Sequence, residues 1–201
     1  MRSGLAKYVP PGALEGVVEL LLAQLIQLRI TKPRTSILGD YRPPHQQRGY
    51  HKISVNGDLN PYAFLITFLH EYAHLEAHIR HGHNIMPHGP EWKTSYVYHV
   101  TDYLKEHIFP GEIIHALQKN IYDPPASSCS DDRLIRILRN YDPNPKGIFL
   151  EQLPEGAIFS LENGLRLTKG PRVRKRFRCK ALNKPGEYLV SPIATVYPEV
   201  A

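Results

Sequence analysis

The chain has 201 residues, 42% hydrophobic and 22% charged, a composition typical of a folded globular protein that excludes a wholly disordered one. Its two cysteines, Cys129 and Cys179, exclude a disulfide-rich scaffold and a four-cysteine zinc ribbon. The 25 Lys and Arg residues and 19 Asp and Glu residues give a formal net charge of +6, which is compatible with an anionic partner.

No part of the sequence is expected to cross a membrane. The most apolar stretch, residues 17–30, is interrupted by charged and amide side chains, and it is shorter than the roughly 20 apolar residues that a spanning helix needs. Glu15 and Glu19 are not typical of an export signal. With no such signal and few cysteines, we expect a cytoplasmic protein.

The first predicted element is an amphipathic helix from Leu14 to Leu28, in which apolar residues recur at three- and four-residue steps. Two strands are predicted next, over residues 35–39 and 50–55. A loop that contains two prolines, residues 40–49, connects these strands. Helix and strands together predict the start of an α+β domain.

The clearest helix start follows the second strand. Asn60 is a good N-cap and Pro61 suits the first helical position, so a helix is predicted from Pro61 to about Arg80, ending at Gly82. Three further helices are predicted, over Glu91 to His107, Gly111 to Lys119 and Arg133 to Asn140.

The composition changes after residue 146. Short runs of strand-forming residues, separated by turn signals such as Asn163-Gly164, predict six short strands. We therefore predict an α+β chain in three parts: a metal-binding domain over residues 1–122, a linker with a short helix over 123–146, and a small all-β, barrel-like module over 147–201.

A metal-binding motif lies inside the long predicted helix, where His70-Glu71-Tyr72-Ala73-His74 has the pattern H-E-x-x-H. Residues four apart on a helix differ in direction by only about 40°, so His70 and His74 share a face and can hold one Zn²⁺. Glu71 is predicted to be the base that takes a proton from the attacking water. The alternative is that both histidines are merely polar residues on a core helix.

A catalytic zinc usually has three protein ligands and one open position. The candidates for the third ligand are His78, His81, His83 and His88. His78 lies about 12 Å along the helix from His70, too far to share one ion. His83 follows the helix end too closely for the chain to fold back. His88 comes after Gly82 with room for the chain to reverse, and it is the predicted third ligand.

The segment His88-Gly89-Pro90-Glu91-Trp92 adds a second motif, and the two motifs together resemble the SprT-like zinc metalloprotease domain, the family that includes SprT and Spartan. The resemblance runs from about residue 14 to about residue 119. It implies a zincin-like fold, one Zn²⁺ per chain on His70, His74 and His88, and Glu71 as catalytic base. It also implies proteolysis of DNA-associated or crosslinked proteins. The chain departs from bacterial SprT because paired cysteines are missing from its C-terminal part.

A basic segment near the C-terminus predicts a second functional surface. If residues 172–180 form one strand, alternation places five cations on one face, namely Arg172, Arg174, Arg176, Arg178 and Lys180. Such a row suits contact with nucleic-acid phosphates. An edge strand that uses charge to prevent aggregation is an equally good interpretation.

Two functions follow from these patterns. The first is a zinc endopeptidase that acts on protein substrates, with DNA as a further partner. The alternative is a non-proteolytic, zinc-containing protein that binds nucleic acid. An intact Glu71 favours the first, because a purely structural zinc site needs no base beside the metal.

Overall fold

A computed structural model describes residues 2–34, 36–45, 49–124 and 131–199. The chain divides into two units, Met1–Asp142 and Pro143–Ala201. It is an α+β protein whose described α-helices all lie in the first unit, whereas the second unit has one short 3-10 helix, Leu150–Gln152. The α-helices are α1 (Arg2–Leu5), α2 (Leu14–Ala23), α3 (Pro61–His81), α4 (Pro90–Lys105), α5 (Gly111–Lys119) and α6 (Asp132–Arg139). None of the helices in these described ranges is long and apolar enough to span a membrane.

The first unit also contains a three-stranded sheet of β1 (Ile26–Thr31), β2 (Gly39–Arg42) and β3 (His51–Asn56), in the order β1-β3-β2. β1 runs parallel to β3, and β2 runs antiparallel to it. α3 packs against β2 and β3, and Ile53 and Val55 of β3 are fully buried. The sheet therefore has one face in the core and one face turned away from α3.

The prediction of a helix that extends to Leu28 is wrong. α2 ends at Ala23, and Leu25 takes a positive φ of 50° that no helix can continue through. The chain then enters β1, whose residues alternate between partly buried and exposed along most of its length. The helical spacing of leucines continued into this segment by coincidence, whereas its parallel pairing with the distant β3 is not encoded locally.

The strand predicted over residues 35–39 begins four residues later in the structure, at Gly39. Pairing with β3 begins only at Gly39, and residues 40–42, predicted as loop, belong to β2. The buried Asn56 side chain holds the segment before β2 as a loop, because its Nδ2 donates to the carbonyls of Arg34 and Ile37. Thr35 and residues 46–48 of the predicted strand and loop lie outside the described residues.

The start of α3 is as predicted. The Asn60 side chain accepts a hydrogen bond from Ala63 N at 3.0 Å, Pro61 is the first helical residue, and Gly82 ends the helix with a φ of 77°. The Asn60 amide also donates to the Leu138 carbonyl at 2.9 Å. α6, which falls within the predicted linker, is thus part of the first unit. Residues 125–130 of that linker, which include Cys129, lie outside the described residues.

The second unit is a six-stranded sheet in the order β4-β9-β5-β6-β7-β8. Its strands are β4 (Ile148–Phe149), β5 (Ile158–Ser160), β6 (Arg166–Val173), β7 (Arg176–Ala181), β8 (Glu187–Val190) and β9 (Thr195–Pro198). The predicted barrel is wrong, because β4 and β8 stay at opposite ends of the sheet and do not close it. β4 pairs through only two residues, too short a ladder for closure. The hydrophobic core of the second unit includes Phe159, Leu167 and Cys179.

Candidate metal centre

Three histidines converge at the middle of the first unit. His70 and His74 lie one turn apart on α3, and His88 comes from the loop between α3 and α4. The Nε2 atom of His88 is 3.1 Å from that of His70 and 3.0 Å from that of His74. These ligand atoms are close enough together to hold one metal ion. The predicted grouping of these three histidines is therefore confirmed.

The donor set fits a transition-metal cation. Three neutral imidazole nitrogens that point at one another repel through their lone pairs unless a cation or a proton lies between them. Burial and the neighbouring histidines lower the pKa of His70 to about 3, and burial and His88 lower the pKa of His74 to about 4. Both rings are therefore neutral near pH 7, which is the form that binds a metal.

The position of His88 depends on the start of α4. His88 has a φ of 58°, and the helix begins directly after it with Gly89 as N-cap and Pro90 at the first position. The indole of Trp92 lies against all three imidazoles, with ring centroids 4.7 to 5.4 Å away. Its Nε1 donates to the His70 carbonyl at 3.2 Å, so α4 is fixed against α3 beside the histidines.

Of the other candidate ligands, His78 and His83 pack on each other, with ring centroids 4.3 Å apart. His78 lies in the last turn of α3, near His51, and His83 follows the helix end. The helical-rise argument correctly separated His78 from the group at His70.

Glu71 is buried beside the histidines and faces β2. A Cβ atom placed on Gly39 would lie 2.6 Å from Glu71 Oε1 and 2.8 Å from Thr67 Cγ2, so only glycine allows this close approach. The backbone N–H of Tyr41 acts on the Glu71 carboxyl group and lowers its pKa. β2 thus holds the side chain of Glu71 in place.

The surroundings of Glu71 favour its protonated form. Burial and the nearby Asp40 raise its pKa to about 8, although Arg34 and the Tyr41 N–H act in the opposite direction. A carboxyl group with such a pKa has a strong affinity for a proton, as a general base requires. A divalent cation on the neighbouring histidines would favour the ionised form.

An open cleft of about 470 Å³ leads to these residues. Its walls are the three histidines, Glu71, and the segment from Ser36 to Tyr41. β2 is at the edge of its sheet, so one side of its backbone is unpaired within the described sheet and borders this cleft. The role of β2 in the site was not predicted, since it depends on a strand that the sequence placed four residues too early.

The basic segment of the second unit does not form one strand. β6 ends at Val173, Arg174 has a φ of 55°, and β7 begins at Arg176, so residues 174–175 are the tip of a hairpin. The predicted single row of cations is wrong for this reason. Arg176, Arg178 and Lys180 do share the exposed face of β7, with Cys179 buried opposite them, whereas Arg172 lies on β6 and Arg174 in the turn.

Comparison with known proteins does not name a function: no family model matches the chain, and no curated protein or solved structure is significantly similar to it. A functional assignment therefore depends on the geometry of the metal centre and on the two short motifs that form it.

Proposed function

We propose that the chain is a zinc-dependent endopeptidase of the SprT-like type. The observation that carries the proposal is the buried Glu71 carboxyl beside three convergent imidazole nitrogens, in a cleft bordered by an edge strand. A zinc site that only stabilised the fold would have a fourth protein ligand, and it would not require a carboxyl group beside the metal.

Zinc suits this donor set because Zn²⁺ takes nitrogen ligands in tetrahedral geometry, and three histidines leave one position for water or substrate. When bound there, Zn²⁺ supplies a Lewis acid that acidifies water and polarises a peptide carbonyl. His70, His74 and His88 would hold it, and each has one ring nitrogen left to interact with its surroundings.

Glu71 accepts the proton of the attacking water and returns it to the amine nitrogen that leaves. The close contact with Gly39 restricts the carboxyl group, and the Tyr41 N–H favours its ionised form. Both residues belong to β2, so the strand acts on catalysis by positioning the base.

The free edge of β2 suits a polypeptide substrate. An extended peptide can pair with an exposed strand edge through backbone hydrogen bonds, which recognise peptide geometry and not sequence. The resemblance to SprT-like domains extends the proposal to proteins that are bound or crosslinked to DNA.

The test is the variant Glu71→Gln, compared with Glu106→Gln, which changes an exposed carboxylate after α4. Glu71→Gln should keep its zinc and lose cleavage of an unfolded protein by about a hundredfold or more, since an amide cannot accept the proton. Glu106→Gln should cleave like the wild type. Cleavage is measured on casein and on a DNA-binding protein, with and without DNA. Wild-type cleavage by the Glu71→Gln variant would remove Glu71 as the base.

The second candidate is a non-proteolytic zinc protein that binds nucleic acid. The four cations at the hairpin tip, Arg172, Arg174, Lys175 and Arg176, are all exposed and favour this function. A zinc-loaded wild-type protein that cleaves neither substrate under any of these conditions, yet binds DNA, would support it.

A further inference from the structure

The exposed face of the first sheet is strongly basic. Gln27 and Arg29 of β1, Lys52 of β3 and Arg42 of β2 are exposed, whereas Ile53 and Val55, which alternate with Lys52 and Ser54, are buried. The register sets Lys52 between Gln27 and Arg42, and Arg29 lies two residues further along β1, opposite Ser54. Cations from all three strands therefore lie side by side on one face.

This face is concave. A hollow of about 550 Å³ lies on it, and we call it the sheet-face groove, lined by Gln27, Arg29, Arg34, Asp40, Arg42, Lys52 and Ser54. Arg34 forms part of its wall, and its guanidinium donates to Asn56 Oδ1 at 2.8 Å and to Ser54 Oγ at 3.1 Å. The Arg34 guanidinium is thus held in place in the groove before any ligand binds.

The charge of the groove is not balanced. Four cations and one carboxylate, Asp40, line it, which gives a net charge of +3. Asp40 pairs with Arg42 at 2.6 Å, whereas Arg29 and Lys52 make no ion pair within the described ranges. The groove therefore fits an anionic ligand.

We propose that the sheet-face groove binds the phosphates of single-stranded nucleic acid. Three of its four cations are arginines, whose N–H forks match phosphate oxygens. The cations extend across three strands, a width of about 10 Å, which suits a chain of phosphates better than a single one. Tyr50, which is 62% exposed, lines an adjoining hollow with Gln27, Arg42 and Lys52 and offers a ring on which an unpaired base can stack.

The groove and the metal cleft share β2. Asp40 lines both, and Arg42 at the end of the same strand lines the groove. A nucleic acid in the groove would hold a protein attached to it close to Glu71. This last point rests on the proposed peptidase function, whereas the binding itself does not.

The experiment measures binding of the full chain to a fluorescein-labelled 20-nucleotide single-stranded DNA by anisotropy over a range of KCl concentrations. The variant is Arg29→Gln with Lys52→Gln, and the matched control is Lys119→Gln with Arg133→Gln. Lys119 and Arg133 are exposed and lie outside the groove, so the control removes the same two positive charges without changing it. The groove variant should bind about tenfold more weakly, with a salt slope reduced by about 1.4, the value for two phosphate contacts to a single strand. The control should bind within about twofold of the wild type.

Three results would overturn the proposal: no binding of the single strand by the wild type, unchanged binding by the groove variant, or an equal loss in the control variant. Cleavage by Glu71→Gln at the wild-type rate, or no cleavage by the wild type, would overturn the peptidase proposal and leave the anisotropy result unchanged, so failure of that proposal and failure of this one are distinguishable. Circular dichroism of both double variants confirms that a loss of binding is not a loss of fold.

Discussion

His88 combines a candidate metal-ligand position with an unfavourable backbone conformation. A φ of 58° is uncommon for a residue other than glycine, and it costs free energy that surrounding contacts must offset. Those contacts are the start of α4 directly after it and the Trp92 ring beside it. A ligand held in this way is presented to the ion before the ion arrives, so less ordering is needed on binding.

The first prediction at the residue scale concerns metal content. The wild-type protein should contain about one zinc per chain, and His88→Ala should lose most of it on dialysis because only two ligands remain. His83→Ala should keep its zinc, since the His83 ring packs on His78. The measurement is zinc by inductively coupled plasma mass spectrometry. Equal loss in both variants would mean that His88 is not the third ligand.

At the scale of elements, β2 does more than extend a sheet. It borders the cleft, approaches Glu71 closely at Gly39, and lines the sheet-face groove through Asp40 and Arg42. A strand of four residues thus joins two surfaces of the first unit.

Gly39→Ala tests the contact between this strand and Glu71, the proposed base. The added methyl group would overlap Glu71 Oε1, so β2 and α3 must separate and the carboxyl must move. Cleavage should fall by about a hundredfold, the cost of a misplacement of about 1 Å, while zinc content stays the same. Gly111→Ala is the control, because a Cβ there meets nothing within 4 Å. If both variants cleave equally well, Gly39 does not position the base.

The helices α3 to α6 could be predicted because the residues that begin and end them act locally. Asn60, Pro61 and Gly82 act within one turn of the residues they cap, and the spacing of His70 and His74 follows from helix geometry alone. β1 could not be predicted, because what makes it a strand is its pairing with β3, some 25 residues away. The glycine beside Glu71 was missed for the same reason.

At the scale of the whole molecule, charge counted along the sequence is a poor guide to charge in space. Residues 147–201 carry 9 basic and 5 acidic residues, a net charge of +4, and this excess favoured a nucleic-acid surface in the C-terminal part. The cations of the sheet-face groove are spread from Arg29 to Lys52, and only the fold of the first unit brings them together.

The stability of the second unit depends on few large side chains. Phe159 is fully buried and Phe177 only partly so. Phe159→Ala should lower the free energy of unfolding of that unit by about 3–5 kcal/mol. Phe177→Ala should cost less, because water already reaches part of its ring. Urea unfolding followed by circular dichroism measures both, with Leu189→Ala, 54% exposed, as control. A larger loss for Phe177 would contradict this assignment of core and surface.

The indole that packs on the three histidines has a spectroscopic consequence. Trp92 is the single tryptophan of the chain, and its ring lies about 5 Å from each imidazole. Emission excited selectively from tryptophan therefore originates at the candidate metal centre and nowhere else in the molecule. The protein carries its own optical probe, which can follow metal uptake, metal exchange and opening of the cleft in real time without any label.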